Sequence, residues 1–318
     1  MSGARATTLA LAATLAACAS RTGTAPTLAL APPPPGAEAR ALDGRPLVPV
    51  PPSPAARATM ARQLADAERA WRRDTTNADS LVWYGRRLAY LGRYRDAIAA
   101  FTLGLRLHPR DARFLRHRGH RLLTIRELAA AERDFVAAAA LVRGTPDAVE
   151  PDGQPNARGI PTSTLQFNIH YHLGLARYLQ GDWRGALDAW ADCMRVSTND
   201  DAIVATAYWQ VMTATRAGDS ATVRAALAKA APIASVIEND AYLRLLALWA
   251  GRATPESLVP ATATSLDDAT TAYGVATWLR THGRAADGDA LLARIVAGPQ
   301  WASFGYLAAE ADLVRARR

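Results

Sequence analysis

Residues 78–107 read ADSLVWYGRRLAYLGRYRDAIAAFTLGLRL, and residues 112–141 read ARFLRHRGHRLLTIRELAAAERDFVAAAAL. Laid over one another at an offset of 34, they align Gly85 with Gly119, Leu88 with Leu122, Ala97 with Ala131, Phe101 with Phe135 and Gly104 with Ala138. A fixed period of this length marks a stack of supersecondary units, each too small to bury its own apolar face. Within each copy the small residues fall where two antiparallel helices cross closely, and the large apolar ones fill the space between them. Gly92, Arg93 and Tyr94 stand at the turn between the two helices, and Pro109 ends the second one, since proline cannot continue a helix.

A third copy starts near Phe167, with Leu173, Gly174, Gly181, Asp182, Trp183, Ala186, Trp190 and Cys193 in the corresponding slots. These units resemble tetratricopeptide repeats. The resemblance implies an all-α fold, a right-handed α-solenoid of helix-turn-helix repeats that binds proteins or peptides on its concave face. Clear repeats are expected at 78–111, 112–143 and 167–200, inside a repeat domain spanning 54–318. A lone helix over 53–73 should lead into the stack, with Leu64, Ala67 and Trp71 at helical spacing. After residue 200 the repeats degenerate: a pair over 201–230, a helix or two over 233–249, a last pair over 267–296, and a terminal helix over 301–315 covering the exposed end.

The N-terminus reads as an address. One cation, Arg5, precedes an apolar stretch over 7–17 that is too short for a spanning helix, which needs about 20 residues. Leu15, Ala16, Ala17 and Cys18 then resemble the lipobox of bacterial lipoproteins. That resemblance implies a signal peptide over 1–17 and a lipidated Cys18 as the first mature residue, held in the membrane by its acyl chains. The protein would then face the periplasm from the cell envelope; Ala19, in place of a retention aspartate, points to the outer membrane. Residues 18–53 are rich in proline, with Pro32–Pro35 in a run and Pro49, Pro51 and Pro52 following, and are expected to form an extended tether.

The chain of 318 residues is half apolar, with 21% charged residues and a formal charge of +8, composition enough for a sizeable core. The positive charge is concentrated: residues 79–143 hold 13 arginines against 6 acids. The two cysteines, Cys18 and Cys193, sit in such different settings that a disulfide is not expected, and Cys193 reads as a small buried residue in an alanine slot.

One segment breaks the period. Residues 144–166, rich in proline and glycine with an Asp152-Gly153 turn, push the third repeat about 21 residues late. Loops of this length inside a compact array are functional or disordered. This one either packs back on the repeats and shapes a pocket or stands in solvent.

By the family pattern, the first helix of each repeat lines the concave face. Carried over, this assigns partner binding to Arg86 and Tyr90 from the first unit, Arg113, Arg116 and His120 from the second, and Asn168, Tyr171 and Tyr178 from the third. The groove would be basic at one end and aromatic at the other, suited to an acidic peptide or a chain terminus. The lysine and asparagine set of the carboxylate-clamp families is not reproduced, and the same arginines equally describe a solvated helix face. Export argues against nucleic acid as a partner.

Catalytic material is sparse. His117 with His120 and His170 with His172 are the best of it for a hydrolase or metal-dependent enzyme using the insertion. Residues two apart on a helix diverge by about 200°, however, so His170 and His172 cannot face one metal. No metalloprotease signature, phosphate-cradling loop or nucleophile elbow accompanies them. The expectation is a scaffold, not an enzyme, with no cofactor or metal.

Overall fold

The 34-residue register has a direct cause in the packing of each helix pair. In the computed structural model, which describes residues 28, 30–261 and 265–317, Gly85 lies against the ring of Phe101, Gly119 against Phe135 and Gly174 against Trp190. A Cβ built at these glycines would stand 2.4, 2.8 and 2.6 Å from the ring, so each repeat depends on the missing side chain to seat its partner helix. The signal peptide and Cys18 lie outside the described residues.

Two short strands, β1 (Ala39–Arg40) and β2 (Pro46–Leu47), precede helix α1 (Pro54–Arg73). The first repeat is α2 (Ala78–Tyr90) with α3 (Tyr94–Leu107), and the second is α4 (Ala112–Thr124) with α5 (Leu128–Val142), their starts 34 residues apart. The stack continues with α6 (Leu165–Gln180) and α7 (Trp183–Val196), α8 (Asp200–Ala217) and α9 (Ser220–Ala230), then α10 (Asp240–Trp249) and the short α11 (Pro255–Leu258). It closes with α12 (Leu266–Thr281), α13 (Ala285–Ala297) and α14 (Phe304–Ala316). Asn77, Asp111, Thr164, Asn199 and Ser265 each accept a backbone N–H at the start of a first helix, the caps that fix where the repeats begin. The architecture is an all-helical solenoid, and Trp71 stacked on Tyr84 at 5.1 Å docks α1 on its open end.

Two expectations change. Residues 33–53 are not tether. Their strands pair in register Ala39↔Leu47, burying Ala37, Ala39, Ala41 and Leu47. The Glu38 carboxylate accepts from the Arg95 backbone N–H at 3.0 Å, and Trp301 donates Nε1–H to the Val48 carbonyl at 2.7 Å. Prolines remove donors, but the backbone carbonyls of Glu38 and Val48 remain and accept from the Arg95 and Trp301 side chains.

The terminal helix also does more than cover an end. Glu310 and Asp312 of α14 are both 2% exposed, and each meets an arginine of a distant repeat. Glu310 accepts from Arg126 Nε at 3.0 Å and from the Leu42 backbone N–H at 2.6 Å. Asp312 accepts both arms of the Arg216 guanidinium, from the end of α8, and the Tyr273 hydroxyl at 3.1 Å. Arg315 reaches the Leu179 carbonyl at the end of α6, at 3.0 Å. The last helix thus ties the turn ends of the first helices together across the concave side.

Arg126 shows what this tie demands. It occupies the turn slot that holds Gly92 in the preceding repeat, and it keeps glycine's left-handed backbone at φ 70°. A non-glycine residue there costs about 1–2 kcal/mol. The cost is offset by the Glu310 pair, by Trp301 and Thr124 carbonyls at 2.8 and 2.5 Å, and by the Trp301 and Tyr306 rings beneath the guanidinium. Removing one partner of a buried pair strands the other, so Arg126→Met and Glu310→Gln should each lower stability by about 3–5 kcal/mol. In urea melts the double variant should lose clearly less than the sum; additive losses would show that the pair does not hold α14 in place.

Candidate binding cavity

The face presented by α2, α4 and α6 is not open. The insertion lies across it, its two ends held together by an antiparallel bridge between Val149 and Thr164 and by backbone bonds from Glu150 to Ser163 and from Leu165 to Ala148. Its tip is anchored from the other side, where Asn156 Nδ2 and Thr162 Oγ1 donate to the two Glu238 oxygens at 2.8 and 2.6 Å. Glu238 is itself fixed by the buried Asp201 carboxylate, which accepts the N–H groups of residues 237, 238 and 239.

Several residues expected to bind a partner are therefore occupied by their own chain. Arg86 donates to the Pro151 carbonyl at 2.8 Å and to the Tyr90 hydroxyl, while Arg87 reaches the Gly153 carbonyl. Gly153 is forced small here, because a Cβ would stand 1.9 Å from the Tyr90 hydroxyl. Arg116 is buried in an ion pair with Glu150 at 2.9 Å, and Asn168 donates Nδ2–H to the same carboxylate at 3.2 Å.

Two assignments are corrected outright. Arg113 is turned outward and bound to Asp111 and Asp79, which raise its pKa through hydrogen bonds and charge. Tyr178 is 1% exposed, its hydroxyl 2.5 Å from that of Tyr273, and belongs to the aromatic core. Repeat position placed Tyr178 on the groove, but the return of α14 seals that end.

What remains is a cavity of about 550 Å³ between α4, α6, α8, α10, α12, the insertion and the start of α14. Phe167, Tyr171, Tyr242 and Phe304 form its aromatic wall, His120, His172 and Asn168 its polar end, and Leu266 and Asp267 stand exposed at its mouth. A smaller pocket of about 180 Å³ adjoins it across Arg116, His120 and Ser163, lined by Arg86, Arg121 and Glu150 among others.

The histidines divide as helical geometry requires. His170 points outward, 3.9 Å from Asp192, while His172 packs inward against His120 with ring centroids 4.4 Å apart. Arg121 donates to His120 Nδ1 at 2.6 Å, which leaves the proton on His120 Nε2. His172 donates Nδ1–H to the Asn168 carbonyl at 2.6 Å, and its buried Nε2 has no partner. Among the described residues, no group of three or more His, Cys, Asp or Glu is arranged to hold a metal ion. Burial pushes the Cys193 thiol up to about 12, so it carries no thiolate at neutral pH.

Sequence reading missed Glu150, Tyr242, Leu266 and Phe304. They come from the insertion and from degenerate segments, where no repeat position predicts a facing direction.

No protein-family model matches the chain, and no curated protein matches it. Among solved structures it is similar to YrrB, described as a TPR protein with an unusual peptide-binding site, at 12% identity and a TM-score of 0.41 over 79% of this chain and 97% of that one.

Burial, reinforced by neighbouring arginines, holds His117, His120 and His172 well below the ordinary 6.5, so all three are neutral in the fold at pH 7. The unfolded chain takes up their protons first. Stability is complete above about pH 6.5 and falls as the pH drops below it. Urea melts at pH 7.5 and 5.5 should show this loss, and equal stability at the two would place the histidines in water.

Proposed function

We propose that this protein is a non-enzymatic binding component of the cell envelope, lipid-anchored at Cys18 in the outer membrane, that holds a peptide segment or chain end of a protein partner. The observation that carries the reading is the cavity: an aromatic wall with a few convergent polar groups, of a size within the usual range of about 300–1,000 Å³ for ligand sites. The ligand enters a partly covered site beside the insertion. Rigid aromatic side chains supply contact area at small entropic cost, and His120 and His172 orient polar ligand atoms. Anchoring rests on the charge, apolar length and lipobox-like residues of the first 18 positions, and the acyl chains would hold the body at the membrane through the segment before Pro33.

Two measurements test this reading. Cys18→Ser should move the protein from the membrane fraction to the soluble one; retention in the membrane would contradict anchoring. Detergent-solubilised full-length protein should bind a subset of an array of hexapeptides, with Phe304→Ala weakening them about tenfold through loss of an aromatic contact. Absence of peptide binding, or binding untouched by Phe304→Ala, would contradict the assignment to this cavity.

A further inference from the structure

The arginines on the concave side are balanced within the fold, whereas the acids at the mouth of the large cavity are not. The small pocket sets three guanidinium groups, those of Arg86, Arg116 and Arg121, against three carboxylates, Glu150, Asp152 and Glu238. The large cavity shares Arg116 and Glu238 with it and adds one further charge, Asp267. The histidines around both spaces are neutral at pH 7. Together the two spaces carry one more negative charge than positive, and the added charge stands at the mouth.

The way each acid is held sharpens the contrast. Glu150 is paired with Arg116 at 2.9 Å. Among the described residues, neither Glu238 nor Asp267 has a basic side chain within ion-pair distance. Glu238 accepts only from neutral donors, Asn156 Nδ2 and Thr162 Oγ1, and its oxygens keep lone pairs for more. Asp267, in the first turn of α12, is exposed, and its charge adds to burial in raising the Tyr242 hydroxyl.

An exposed acid by itself is an ordinary surface residue. Asp267 and Glu238 differ in bordering an aromatic wall, Phe167, Tyr171, Tyr242 and Phe304, and aromatic faces attract cations. The polar end of the same cavity contributes an acceptor as well. His172, 3% exposed, donates Nδ1–H to the Asn168 carbonyl, which leaves Nε2 a lone pair with no donor. Negative charge, aromatic surface and a vacant acceptor call for a ligand with an apolar stem, a positive charge and N–H groups.

We propose that the cavity takes a basic side chain of a partner peptide, its methylene stem on the aromatic wall and its cationic group beside Asp267 and Glu238. An N–H of the same segment suits His172. The inference rests on the peptide-binding reading above and sets the charge of the segment: basic, opposite to the acidic one that the arginine-rich helices suggest from sequence.

Calorimetric titration of the detergent-solubilised full-length protein separates the outcomes, with a capped hexapeptide containing one lysine, the same peptide with norleucine or glutamate in its place, and n-butylammonium chloride. The lysine peptide should bind at least about tenfold more tightly than the norleucine peptide, which has the same stem without the charge. The glutamate peptide should bind weakest, and added salt should narrow the lysine advantage. Asp267→Asn, at an exposed position outside the core, should remove most of that advantage and leave the norleucine peptide unchanged. Equal affinity for the lysine and norleucine peptides, or an advantage that survives Asp267→Asn, would overturn the basic side-chain inference and leave peptide binding standing. Binding of n-butylammonium without any hexapeptide would keep the cation site and overturn the peptide reading. Binding of none of the probes would overturn both.

Discussion

Two carboxylates on one helix, Glu310 and Asp312, decide what the rest of the solenoid can be. A stack of helix pairs with no tie between distant repeats leaves its concave face open to solvent. Here α14 carries both acids into the interior, where Arg126 and Arg216 meet them from repeats far apart in sequence. Buried charges of this kind persist only when hydrogen-bonded on all sides, and each acid has a second donor, the Leu42 backbone for Glu310 and the Tyr273 hydroxyl for Asp312. The same tie recruits residues 33–53, because Leu42 and Val48 are bonded to Glu310 and to Trp301 just before α14.

With one side of the concave face taken by α14 and the other by the insertion, a groove becomes a cavity. The insertion supplies Glu150 as the ion-pair partner of Arg116, and the Pro151 and Gly153 carbonyls as further acceptors. Enclosure changes the physics of recognition. Charges and hydrogen-bonding groups that would be screened on an open helix face act here in a drier setting, where an ion pair or an orphaned imidazole nitrogen weighs more.

The legible part of this fold was the part governed by the repeat. Glycines seated under aromatic rings recur at 85, 119 and 174 because the helix crossing repeats, and that recurrence is visible in the sequence as spacing alone. The concave-face positions were also legible as positions, but what faces them was not. Arg86, Arg116 and Asn168 do line the interior, yet their partners come from a loop whose path depends on long-range bonds to Glu238 and Asn199, which no local pattern records. Arg113 and Tyr178 differed for opposite reasons, one drawn outward by nearby aspartates and the other covered by a helix from the far end of the chain. The proline-rich stretch was read as extended because proline excludes helix and ladder; its carbonyls, which fold it onto the body, leave no mark in composition.

Closure of the concave face by the insertion is the claim on which the cavity stands, and native-state amide hydrogen exchange reads it directly. The Glu150 and Leu165 amides, bonded to Ser163 and Ala148, should be protected to the same order as amides within α4 and α6. Exchange of those two amides at the rate of an unstructured loop, with the helices still protected, would contradict it.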